Sequence, residues 1–164
     1  MNRRDWIATG LKVSAVAATA PAAIVSAQGA ADIPALFASI LTAHDIDAFA
    51  ALFSPDYMNH QFSAANARPP LGTKAKEVAI GLYRSRLVGM PDLKVTVEKS
   101  LLTIDSCAAS FLYEGTHKAL CMNVPPTGKR VRFSSCDIFR ISNGLIVERW
   151  GMGEIAGLMA QLKG

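Results

Sequence analysis

Between residues 93 and 150 the chain passes through four segments in which apolar and polar residues alternate: LKVTVEKSLLTI (93–104), CAASFLYEGTHKA (107–119), RVRFSSCDIFRI (130–141) and LIVERW (145–150). A period of two sends successive side chains to opposite faces of a strand, so each segment has one apolar face to bury. The last two are separated by Ser142-Asn143-Gly144. Asn-Gly supplies the positive-φ pair that a tight hairpin turn needs, so these strands are expected to run antiparallel. A sheet with an apolar face must be covered by something else in the chain.

The cover precedes the strands. IPALFASILTAH (33–44) places Ile33, Leu36, Phe37, Ile40 and Leu41 at helical spacing. Asp45 reads as the N-cap of a second short helix, IDAFAALF. SPDYMNHQF reads as a turn and an extended stretch, and ARPPLG as loop. TKAKEVAIGLYRSRLVGM returns to helix, with Val78, Leu82 and Leu87 on one side. After the strands, EIAGLMAQL closes the chain as a short amphipathic helix. Helices first, strands next and a terminal helix last imply an α+β fold, with helices packed on one face of a curved antiparallel sheet.

The first thirty residues have another character. A charged start (Asn2 to Asp5) leads into a weakly hydrophobic, alanine-rich stretch and then small residues suited to cleavage. That is the layout of an export signal, and Arg3-Arg4 ahead of Trp6-Ile7 resembles the twin-arginine type. The expected division is a leader over 1–30 and one domain over 31–164, with the mature protein periplasmic or secreted. The apolar run of the leader is too short and interrupted for a membrane span, so no stable span is expected after cleavage.

Charge argues against a nucleic-acid partner. The formal net charge is +4. Setting aside Arg3, Arg4, Lys12 and Asp5 leaves 14 basic against 12 acidic residues, a net of +2. The one basic cluster, Lys129, Arg130 and Arg132, alternates with apolar residues as a solvent-facing or edge strand does. Cys107, Cys121 and Cys136 are far apart, without the spacing of a metal site. They read as small buried hydrophobes, and a disulfide between two of them stays open. The sequence has no serine elbow, metal triad or glycine-rich phosphate loop.

Several stretches together resemble a known family: YMNH (57–60), MPDLKVTVE (90–98), YEGTH (113–117), VPPTGKRVRFSSCDIFRISNGLIVERW (124–150) and LMAQLKG (158–164). They are similar to the SnoaL-like polyketide cyclases, or ester cyclases, over nearly all of the mature chain. The resemblance implies the cone-shaped fold of nuclear transport factor 2, with an apolar pocket in its mouth. It implies cofactor-free chemistry on a small hydrophobic carbonyl compound: proton abstraction α to the carbonyl, then aldol cyclisation or isomerisation. It also implies pairing of copies through outer sheet faces, hence a homodimer or larger. The same fold hosts steroid isomerases, epoxide hydrolases and non-catalytic binding proteins, so those readings stay open.

Candidate site residues follow from the resemblance and from chemistry. Proton abstraction needs a base within reach and a donor for the enolate oxygen. Glu154 stands four residues after Trp150, where the family shows Asp, and is a candidate acid/base. Its other reading is a first-turn residue favoured by the helix dipole. Some relatives carry Asp directly after the Trp, where this chain has Gly151. His60 and His117 match family histidines and are expected near the pocket as catalytic partners. Tyr57 and Asn59 are expected as polar substrate contacts, and Trp150 and Met152 as pocket wall. Met90, Met122 and Met159 join them as core or lining. Asp137 reads as half of an ion pair with Arg140 or as a lone structural carboxylate, Asp105 as a turn residue, and His44 as a helix-end dipole partner.

Overall fold

The computed structural model describes residues 33–61 and 71–164. The expected leader lies outside them. The elements in chain order are a helix over 33–42 (α1), α2 (Ile46–Ala51), β1 (Phe53–Asn59), α3 (Ala75–Gly89), β2 (Lys94–Leu102), β3 (Ser106–Thr116), β4 (Arg130–Ser142), β5 (Leu145–Gly153) and α4 (Ile155–Lys163). The five strands form one sheet in the order β1-β5-β4-β3-β2.

The local signals act as expected at α2 and at the last hairpin. The Asp45 carboxylate accepts from the Ala48 N–H at 2.9 Å, capping α2. Asn143 and Gly144 take φ values of 51° and 75°, and Ser142 pairs directly with Leu145 across the turn. β2 through β5 pair antiparallel. The sheet is nevertheless mixed, because β1 adds at the edge and runs parallel to β5. Its register shifts between Phe53 and Met58, around Pro55, which has no N–H to give a ladder and is tolerated at an edge. Further shifts lie between Val97 and Lys99 and between Arg140 and Ile141. Bulges of this kind bend a strand and raise its twist.

In β3 and β4 the odd-numbered positions face inward and the even-numbered ones outward. The inner face packs on the helices. Phe37 of α1 contacts the rings of Phe49, Tyr83, Phe111 and Phe139, joining three helices to the two central strands. The inward stripe of α3 is Ile80, Tyr83 and Leu87, while Val78 and Leu82 are only half-buried. Arg130 and Arg132 point outward and are exposed, but on a central strand. All three cysteines are free, with Cys136 exposed on β4 and Cys121 in an isolated bridge to Val124. No helix among the described residues is long and apolar enough to cross a membrane.

Candidate active site

The inner face of β4 reads Val131, Phe133, Ser135, Asp137, Phe139, Ile141. Two polar positions therefore interrupt an apolar stripe, and Asp137 has no exposed surface. An ion in such a place needs a partner. Arg149 of β5 supplies it, donating from Nε to Asp137 Oδ1 at 2.7 Å, with Nη2 2.5 Å from the same oxygen. The Ser135 hydroxyl donates to Asp137 Oδ2 at 2.7 Å, and its oxygen lies 3.4 Å from the Tyr113 hydroxyl.

Gly151 makes this arrangement fit. It pairs directly with Asp137 in the β4–β5 ladder. A Cβ built on it would collide with both the Asp137 carboxylate and the Arg149 guanidinium. Without a side chain at position 151, the Asp137 carboxylate on the neighbouring strand occupies that space.

The surrounding groups are donors. Burial opposes the charge of Arg149, but Tyr83, Asp137 and Tyr57 around it outweigh that and raise its pKa. Tyr57 of β1 is buried, and its hydroxyl has no hydrogen-bond partner. Desolvation raises the pKa of that phenol, against the pull of the nearby Arg149 guanidinium. Desolvation likewise lifts Tyr113 well above its ordinary value. Both phenols therefore keep their protons at neutral pH. A cavity of about 190 Å³ opens beside the cluster, with Ser135, Arg149, Gly151, Phe133, Arg86 and Met152 in its lining.

Of the residues singled out in the sequence, Met122 and Met152 line this cavity, and Tyr57 lies beside Arg149. Glu154, His60 and His117 do not converge on one cavity. Glu154 is the exposed N-cap residue of α4, without a side-chain cap bond. Its side chain folds against Gly157 and borders a cleft with Glu98, Arg132 and Ser134. It stands beyond the end of β5, so strand alternation does not aim it inward. His60 follows β1, stacks on Trp150 with ring centroids 4.4 Å apart, and places Nε2 2.5 Å from Glu148 Oε2. Glu148 also binds Arg140, and these contacts, His60 first, hold its carboxyl below the usual range. Trp150 thus belongs to the outer face, opposite Ile138. His117 is buried at the end of β3, where Nδ1 accepts from the Thr127 N–H at 3.3 Å and closes the loop ahead of β4. Asn59 exchanges two hydrogen bonds with the backbone of Gln61 and fixes the chain as it leaves β1.

Asp137, Ser135, Arg149 and Arg86 were not expected at the site. One signal was available: 137 is an inward position by the alternation of RVRFSSCDIFRI. Three residues along a strand reverse the face, so Arg140 cannot pair with Asp137, and it pairs with Glu148 instead. Among the described residues no group of three or more His, Cys, Asp or Glu is placed to hold a metal ion.

Comparison with known proteins agrees with this architecture. A family model described as SnoaL-like polyketide cyclase matches residues 31–162. TsrD from Streptomyces laurentii superposes with a TM-score of 0.70 at 20% identity, covering 83% of this chain and 96% of its own. IdmH from Streptomyces antibioticus, described as a candidate polyketide cyclase, gives 0.68 at 27% identity over 82% and 98%. AclR from Streptomyces galilaeus, described as a candidate hydroxylase, gives 0.68 at 21% identity over 83% and 96%. No curated protein matches significantly.

Proposed function

Because the chain belongs to the SnoaL-like polyketide cyclase family, we propose that it performs cofactor-free acid/base chemistry on a small hydrophobic carbonyl compound, with Asp137 as the base. The observation that carries this is a fully buried carboxylate held by two residues of the cavity lining, Ser135 and Arg149, close to a buried phenol, Tyr57, whose hydroxyl is unpaired. The C–H bond α to the carbonyl breaks, its proton passes to Asp137, and the electron pair moves onto the carbonyl oxygen. Tyr57 donates to that oxygen, and Arg149 stabilises it by its charge. The enolate carbon then attacks a second carbonyl carbon in the same molecule, closing a ring while that C=O becomes an alkoxide that takes the proton back from Asp137, or the enolate takes the proton from Asp137 at another carbon. Arg149 supplies the counter-charge that an ionised base needs inside the protein. Glu154, His60 and His117 have no part in this chemistry.

A second reading is a non-catalytic binding protein. It is favoured by the hydrogen bonds of Asp137, which run to Arg149 and Ser135 within the protein itself. Deuterium wash-in separates the two. In D2O the protein should exchange the α-protons of aryl ketones and aryl β-keto esters faster than buffer, followed by proton NMR. Exchange at the buffer rate across such a panel would remove the acid/base reading and leave the binding protein.

We also propose that the mature protein is exported and homo-oligomeric. The leader supports the first, and an apolar outer sheet face supports the second. With Arg3 and Arg4 both changed to Lys, uncleaved precursor should build up in the cytoplasm; unaltered processing would remove the twin-arginine route.

A further inference from the structure

Among the described residues, Arg86 of α3 is the one cation at this site that the mechanism leaves unused. It is 7% exposed, and its Nε has no hydrogen-bond partner. Among the described residues no carboxylate forms an ion pair with it. Its guanidinium lies among aromatic rings, 5.1 Å from the centroid of Tyr83, 5.7 Å from Phe133 and 5.8 Å from Tyr113. Such contacts compensate a buried charge only in part. Arginine stays protonated in proteins, so the charge cannot be shed.

Arg86 also lines two cavities. One is the cavity beside Asp137 and Arg149; the other, of about 510 Å³, continues past Cys121 and Met159. Leu82, Met122 and Ile155 belong to both linings, so the two spaces adjoin. Arg149 is neutralised by Asp137, whereas Arg86 faces the same space without a counter-charge.

The geometry points to Arg86 as the anchor for a carboxylate on the ligand, whose apolar or aromatic body lies along Leu82, Met122 and Met159. A guanidinium offers a planar fork that matches a carboxylate with two parallel N–H bonds. The thioethers and rings of the lining suit an irregular apolar body. This assignment rests on the reading of the cavity as the substrate site. It narrows the substrate class from hydrophobic carbonyl compounds to those that also bear an acid group away from the reacting carbon.

Binding to the purified mature chain tests it without any need for turnover. The probes are 2-naphthoate and its neutral counterpart 2-naphthamide, followed by ligand-detected NMR and calorimetry. The carboxylate should bind at least about tenfold more tightly than the amide, and Arg86→Gln should abolish that preference. Equal binding of the two probes, no binding of 2-naphthoate at millimolar concentration, or a preference that survives in Arg86→Gln would overturn the assignment. Arg86→Met adds a readout that does not depend on the probes. An uncompensated buried charge burdens the empty protein, so its removal should raise the melting temperature. A fall would mark Arg86 as a structural residue and also overturn the proposal. Naphthoate preference without deuterium wash-in would leave the anion site standing and remove the acid/base reading. Wash-in without naphthoate preference would do the reverse.

Discussion

A carboxylate with no exposed surface needs a counter-charge, and Asp137 has one in Arg149. Removing one member of a buried pair leaves the other stranded, at a cost of about 3–5 kcal/mol. Asp137→Asn should therefore lower stability by roughly that amount in denaturant unfolding, less whatever the amide recovers through Ser135. The double variant Asp137→Asn/Arg149→Gln removes both charges, so its loss should fall well short of the sum of the two single losses. Simple additivity would mean that the two side chains do not interact. Glu154→Gln should change stability by less than about 0.5 kcal/mol, since Glu154 is exposed and makes no side-chain cap bond. The residue that looked most like an acid/base in the sequence is thus the cheaper one to replace.

At the scale of elements, the end of β3 is clamped to the turn between α3 and β2. Gly115 allows the close approach, since a Cβ there would lie 3.1 Å from Met90 Cβ and 3.3 Å from Leu93 Cα. Asp92 holds the contact, accepting from the Thr116 N–H at 2.6 Å and from its hydroxyl at 2.7 Å. Those bonds, the backbone one first, lower the Asp92 pKa below its ordinary 3.8. A pKa lowered by folding gives a contribution that is complete above the ordinary value and fades as the pH falls through the folded one. Asp92→Asn should thus melt below the parent protein at neutral pH, and the gap should close on acidification below about pH 4. A gap that persists at pH 2 would show that the clamp does not depend on charge. This scale also explains what the sequence revealed. The Asp45 cap and the Asn143-Gly144 turn are local, and their chemistry is written in adjacent residues. β1 was legible only as an extended stretch after a turn, because Pro55 and Asp56 give its start the look of a turn and its partner β5 is distant in the chain. Arg149 was hidden because the register shift after Arg140 changes which residues of β5 face inward, and no single strand announces its bulges. Asp137 was accessible by parity alone, but its partner was not.

Across the whole molecule, the sheet has an outer face that the helices do not cover. Leu101, Ala108, Ile138 and Trp150 pair in register across four strands and form an apolar row there. Leu101, Ile138 and Trp150 are exposed in the single chain. A second copy placed on this row would bury it, so light scattering at micromolar concentration should give at least a dimer, and Ile138→Glu should reduce it to a monomer. A monomeric parent would remove the homo-oligomer proposal. The proposed chemistry rests on the interior, where the arrangement of helices and sheet holds the buried Asp137 carboxylate beside a cavity and places Glu154 outside it. Deuterium wash-in with two variants tests that division most directly, at a temperature where circular dichroism shows both folded. Asp137→Asn should slow exchange by about 10²-fold or more, the loss typical of a general base, while Glu154→Gln should exchange at the parent rate. The opposite pattern, with Glu154→Gln slowed and Asp137→Asn unchanged, would contradict the account.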